Sequence, residues 1–162
     1  MSASLLSDLD NLGWLSLFMY GHESHVLDSQ QVEIVGRNIL VSLFIADNVE
    51  VATPLRDKGV DLIAYDSQTF RAVPVQLKTF SNTGFSLNEK YKGMMLAYVW
   101  YASQPLKAEV YVMTYNQALE VAGSSFFEKH GKVAITKAGP RILSAIEPYK
   151  YRPGYLSNLI TR

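Results

Sequence analysis

Cysteine is absent from the 162 residues. That excludes disulfide cross-links, thiolate zinc centres and cysteine nucleophiles, and it fits a reducing compartment. Histidine is scarce, with only His22, His25 and His130. The first two are three residues apart, but no thiolate or third ligand accompanies them, so they read as surface or capping residues. Long apolar runs are also missing. The run at residues 39–46 is interrupted by Ser42 and falls far short of the roughly 20 residues that span a bilayer. No basic residue precedes Arg37, and Asp8 and Asp10 stand near the start, which does not read as a secretory signal. There is no G-x-S-x-G elbow and no G-x-G-x-x-G. Gly131-Lys132 fails as a phosphate loop because Phe126 and Val133 replace the required glycine and hydroxyl residue. The expectation is a single domain over residues 1–162, cytoplasmic and not membrane-bound. A chain of this length buries roughly 70% of its unfolded surface without staples.

Net charge is zero, but the charge is unevenly distributed. Residues 1–50 carry Asp8, Asp10, Glu23, Asp28, Glu33, Asp47 and Glu50 against Arg37 alone. Residues 129–162 carry Lys129, Lys132, Lys137, Arg141, Lys150, Arg152 and Arg162 against Glu147. Tyr149, Tyr151 and Tyr155 are interleaved with the latter. Cations attract phosphates and aromatic rings stack on unpaired bases. The same segment also serves to neutralise the acidic half of its own chain.

The apolar residues Leu5, Leu6, Leu12, Trp14, Leu15, Leu17 and Phe18 predict a helix over residues 2–20, broken by Gly21. A longer helix is expected over residues 30–46, capped by Asp28 or Ser29 and ended by Asp47-Asn48. Its apolar positions Val32, Val35, Ile39 and Leu43 recur at spacings of three and four. Strands are expected at residues 49–52, 60–65 and 71–80. In the last, Val73, Val75 and Leu77 face one side and Pro74, Gln76 and Lys78 the other. Pro74 lacks an amide donor, so the strand begins there or lies beside an edge. Residues 81–92 are polar and read as a loop. Residues 96–102 and 109–115 read as antiparallel neighbours. Helices are expected at 116–122, capped by Asn116 and stopped by Gly123, and at 140–149. The fold class is α/β, in the sense of a mixed α+β arrangement around one sheet.

One constellation carries chemistry. Gln76 and Lys78 share a face of their strand, and a lysine projecting from a central strand is costly unless paired. Asp61 lies on the neighbouring strand and can supply that partner. Glu33 adds a second carboxylate if its helix packs over the sheet, and it also stands four residues before Arg37, the spacing of a helical ion pair. Two carboxylates, an amide oxygen and a lysine suit a divalent cation beside a scissile phosphate. The lysine orients the water or offsets charge in the transition state.

Glu33 on a helix, Asp61 on a strand and Gln76-Leu77-Lys78 on the next strand resemble the PD-(D/E)xK nuclease superfamily. The chain most resembles the branch with Q-x-K, which includes an intron-encoded homing endonuclease; related members of the superfamily include Holliday-junction resolvases. The resemblance implies a restriction-endonuclease-like core over about residues 29–122, with a helix, a mixed central sheet of about four strands and flanking helices. It implies Mg²⁺- or Mn²⁺-dependent hydrolysis of phosphodiester bonds in DNA. Asp61, Gln76 and Glu33 would hold the metal and Lys78 would assist the nucleophilic water. Val60 stands where the family has proline, and Gln76 where it commonly has an acid.

Lys92, Lys150 and Arg152 are the expected DNA contacts, with Tyr91 beside them. Cutting both strands calls for a homodimer or higher symmetric assembly. Two other readings stay open: a catalytically weak nucleic-acid-binding module of the same fold, kept alive by Gln76, and an interaction protein of a phage, mobile element or defence system.

Overall fold

A computed structural model describes residues 26–56, 58–123, 127 and 130–161. The helix expected over residues 2–20, with His22 and His25, lies outside the described residues. Helix α1 (Ser29–Ala46) starts at Asp28. The Asp28 carboxylate accepts the Gln31 amide at 2.8 Å and the Gln31 side chain accepts the Asp28 amide at 3.0 Å. This reciprocal cap satisfies two orphan donors of the first turn. The helix stops at Asp47, and Asn48 follows with φ of 57°.

Among the described residues, seven strands follow in chain order: β1 (Glu50–Ala52), β2 (Leu62–Tyr65), β3 (Ala72–Thr79), β4 (Phe85–Asn88), β5 (Met95–Trp100), β6 (Glu109–Thr114) and β7 (Lys132–Ile135). Five of them form a mixed sheet in the order β1-β2-β3-β5-β6. The β3–β5 pair is parallel and the other neighbours are antiparallel. The sheet thus has five strands, in line with the mixed central sheet of about four that was expected. Pairing of β3 with β5 begins at Val75↔Met95, so Pro74 has only β2 beside it. Its missing amide therefore costs nothing on the β5 side.

Among the described residues, three further helices follow: α2 (Tyr115–Ala122), α3 (Pro140–Ile146) and α4 (Tyr155–Thr161). The cap of α2 is Thr114, whose hydroxyl accepts the Gln117 amide, and not Asn116. The helix expected over 140–149 is α-helical only to Ile146 and ends in a 3₁₀ turn, Glu147–Tyr149, because Pro148 cannot donate to the α ladder. Residues 81–92 are not simply a loop. They contain β4, which pairs antiparallel with β7, and a 3₁₀ turn, Glu89–Tyr91.

Each face of the sheet carries its own core. On one, α1 and α4 bring Val32, Leu40, Phe44, Leu156 and Ile160 onto Val75, Leu77, Ala97, Val99, Val110 and Val112. On the other, the β4–β7 pair, α2 and α3 cover Leu96, Tyr98, Trp100, Tyr111 and Met113. Every residue of β5 is consequently buried, which explains its lack of polar alternation. Trp100 Nε1 donates to Gly84 O at 2.6 Å and Tyr98 Oη donates to Ser86 O at 2.9 Å, fastening β4 over the sheet.

The buried stripe of α1 is Val32, Gly36, Leu40 and Phe44; of the expected set, Val35, Ile39 and Leu43 are only half-buried. The helix is rotated so that Gly36 meets the sheet. A Cβ at Gly36 would lie 2.3 Å from Thr79 Cγ2. Glycine here lets α1 approach β3 closely, and that approach sets the position of Glu33 one turn earlier. Among the described residues, no helix is long and apolar enough to cross a membrane.

Candidate active site

The site forms where β2 and β3 part. Their pairing runs from Tyr65↔Ala72 to Leu62↔Val75. Beyond Val75, β3 continues to Thr79 alongside β5. Asp61 stands at the fork. Its amide donates to Val75 O at 3.0 Å. Its carboxylate oxygen Oδ2 accepts the Leu77 amide at 2.7 Å and the Gln76 Nε2–H. The carboxylate thus replaces the strand residue that would otherwise satisfy the β3 edge.

Gln76 is buried at 5% exposure, and its Nε2 also donates to Leu77 O at 3.2 Å. Lys78 Nζ lies 5.0 Å from the ring centroid of Tyr91, and Lys90 Nζ lies 5.2 Å from the same ring. Both ammonium groups fall within cation–π range. Tyr91 is itself buried, at the end of the turn that follows β4. Glu33 reaches the site from α1, paired with Arg37 at 3.1 Å across one helical turn. Among the described residues, buried Arg37 Nε has no hydrogen-bond partner.

These groups line one open cleft of about 350 Å³: Glu33, Gly59, Asp61, Gln76, Leu77, Lys78, Thr79, Lys90 and Tyr91. Glu33, Asp61, Gln76 and Lys78, from three separate elements, are therefore brought together. Lys90 was not singled out in the sequence. The only signal for it is its place in the basic–aromatic run Lys90-Tyr91-Lys92.

The expected DNA contacts do not all gather there. Lys92 is exposed one residue beyond Tyr91, next to the cleft. Lys150 lies at the far edge of the sheet, bridged to Tyr111 of β6. Its ammonium meets Glu109 at 2.6 Å, so its charge is balanced within the fold. The Glu109 hydrogen bond raises the Lys150 pKa against the opposing effect of burial. Burial raises the Glu109 carboxyl pKa, but hydrogen bonds from Lys150 and Tyr111 outweigh it and leave a net lowering. Arg152 is exposed two residues further on.

Among the described residues, no three His, Cys, Asp or Glu side chains are grouped to hold a metal ion. The cleft offers two carboxylates and one amide. Its oxygen donors match the preference of Mg²⁺ and Mn²⁺. Gln76 turns its Nε2 end toward Asp61, so a ligand role requires rotation of the amide to bring Oε1 alongside Asp61 Oδ2. That rotation gives up the bond to Leu77 O. Comparison of the chain with protein-family models, curated proteins and solved structures returned no match.

Proposed function

We propose that the protein is a metal-dependent endonuclease that hydrolyses phosphodiester bonds in DNA. The supporting observation is the convergence of Asp61, Gln76, Lys78 and Glu33 on one cleft at the β2–β3 fork. Asp61, Gln76 and Glu33 would hold Mg²⁺ or Mn²⁺, which when bound polarises the phosphate and acidifies a water. Lys78 orients the attacking water and offsets charge as the P–O bond breaks. Tyr91 keeps the Lys78 ammonium at the cleft through its ring face. Lys90 adds a second positive charge for the phosphate.

A second reading has its own support. The Asp61 carboxylate already accepts two donors from β3, which is the role of a strand-end clamp. On that reading the cleft binds DNA without cutting it.

Nicking of supercoiled plasmid separates the two. The nuclease reading expects Mg²⁺- or Mn²⁺-dependent nicking that EDTA and Lys78→Ala both abolish. Metal-independent binding with no nicking of plasmid or branched DNA supports the clamp reading and refutes the nuclease.

A further inference from the structure

Helix α1 brings a second charged group to the cleft. Its buried stripe includes Val32, Gly36 and Leu40, and Glu33 and Arg37 each follow a stripe residue by one position. One position is a rotation of about 100°, so both stand on the same flank of the helix. Glu33 lines the cleft, so that flank borders it. The helix approaches β3 closely at Gly36, against Thr79, and Thr79 also lines the cleft. Arg37 is the next residue, about 6 Å along the helix axis from Glu33.

The guanidinium carries N–H donors in a planar fork and keeps its charge. Nη2 donates to Glu33 Oε1 at 3.1 Å. Nε is buried and, among the described residues, has no acceptor. Buried donors without a partner are exceptions in folded proteins, and each calls for an explanation. Nε and Nη2 lie on one edge of the guanidinium, the edge that takes two oxygens of a phosphate side by side. Glu33 satisfies only the Nη2 half of it. The hold of Glu33 is also weak. The Arg37 and Glu33 side chains are 37% and 57% exposed, and an ion pair of this spacing and exposure favours the paired form by only about a factor of two.

We propose that Arg37 is a phosphate-binding residue of the cleft and that Glu33 holds its place in the free protein. When DNA binds, two oxygens of one phosphodiester take the Nε–Nη2 edge, and Glu33 is released toward the cation. The proposal rests on the reading above in taking DNA as the polymer and Glu33 as a cation ligand. The exchange leaves every charge paired, Arg37 with phosphate and Glu33 with the cation, and it supplies Nε with the acceptor that Glu33 does not. It trades an exposed helical ion pair for a two-donor, charge-assisted contact. Lys78 and Lys90 act as point charges, whereas the planar edge of Arg37 also fixes the orientation of the phosphodiester.

The test is binding of fluorescein-labelled duplex DNA across a salt series, in EDTA and again in Ca²⁺. Arg37→Gln loses only a weak surface pair and is expected to fold, which urea unfolding with unchanged m checks. It should bind DNA roughly tenfold more weakly, the loss of one charge-assisted contact, and the slope of log K against log salt should become shallower by about one. Arg37→Lys keeps the charge without the planar edge. It should restore the slope but only part of the affinity. In EDTA, Arg37→Gln should cost two- to threefold more in a Glu33→Gln background than in the wild type, because the competitor for the guanidinium is gone. Equal affinity and slope for Arg37→Gln and wild type overturn the proposal, as does a loss that Glu33→Gln leaves unchanged. Full recovery by Arg37→Lys overturns the two-donor contact, and no binding by the wild type in either condition overturns the proposal and the DNA reading together. Binding that depends on Arg37 without any metal-dependent nicking keeps the phosphate contact and removes the nuclease. Nicking with DNA binding that ignores Arg37 does the reverse.

Discussion

Gly36→Ala is expected to lower stability, although alanine is the better helix former. In an exposed helix interior this exchange gains about 1 kcal/mol. Here the new Cβ would stand 2.3 Å from Thr79 Cγ2, 3.2 Å from Thr79 Cβ and 3.5 Å from Ala102 Cβ. Only the first is a severe overlap, since carbon pairs are at ease near about 3.5–4.0 Å. Relief requires α1 to retreat by about 1 Å or Thr79 to leave its rotamer, and overpacking of this kind costs about 1–3 kcal/mol. The net expectation is a loss of about 1 kcal/mol, a fall in Tm of about 2–4 °C for a chain of this size. Thr79→Ser removes Cγ2 while keeping the hydroxyl, and alone should cost up to about 0.8 kcal/mol for the half-buried methyl. In the double variant the overlap disappears and the helix gain is recovered, so the two changes should couple favourably by about 1–2 kcal/mol. Urea unfolding of the four proteins, with m unchanged, measures this cycle. A Gly36→Ala protein at or above wild-type stability refutes the close-approach argument, as does coupling below about 0.5 kcal/mol. The retreat of α1 also carries Glu33 away from the cleft. Stabilisation by Mn²⁺ should therefore weaken in Gly36→Ala and return in the double variant.

Asp47→Ala should cost about 2–4 kcal/mol by urea unfolding. Its carboxylate accepts the Tyr151 hydroxyl and the Gly154 and Leu156 amides at 2.8–3.0 Å, and donors left unpaired in a buried place cost about 1–3 kcal/mol each; a loss under about 0.5 kcal/mol would show that α4 does not depend on this cap. Glu109→Gln should cost at most about 1 kcal/mol, because the Lys150 pair is a third exposed. The folded Glu109 pKa is lowered from 4.5, so its contribution is present above that value and lost as pH falls through the folded value. Thermal melts of the two proteins should differ at pH 7 and converge in acid, and a constant difference across that range would count against the pairing. Mn²⁺ at about 100 times its dissociation constant should stabilise the wild type by about 2.7 kcal/mol. Asp61→Asn should remove that shift, and an equal shift in both proteins would take Asp61 out of the metal site. EDTA should return the wild type to its metal-free Tm.

The parts of this protein that are legible in sequence are those written in short-range interactions. Asp28 and Gln31 cap α1 through bonds three residues apart. The alternation of residues 73–78 gives β3 its two faces, and Gln76 and Lys78 fall together on one of them. Gly123, with φ of 89°, stops α2. Glu33 and Arg37 pair across one turn. Each follows from the helical or strand period alone.

Tertiary structure decided the rest. Gly36, neutral in a hydrophobic count, is the residue that rotates α1 onto Thr79, because a missing Cβ matters only when something presses against it. Strand β4 looked like a polar loop because Ser86 and Asn88 alternate with the buried Phe85 and Leu87, and its partner β7 lies more than forty residues away. Asp47 caps a helix start 109 residues further along the chain at Leu156. Lys150, one of seven bases in a basic tail, spends its charge on Glu109 across 41 residues. Lys90 enters the cleft only because the turn after β4 folds back beside Lys78. Periodicity and caps reach about four residues along a chain; these contacts are set by how helices and strands pack, where burial and unsatisfied polar groups decide between arrangements that the local pattern leaves equal.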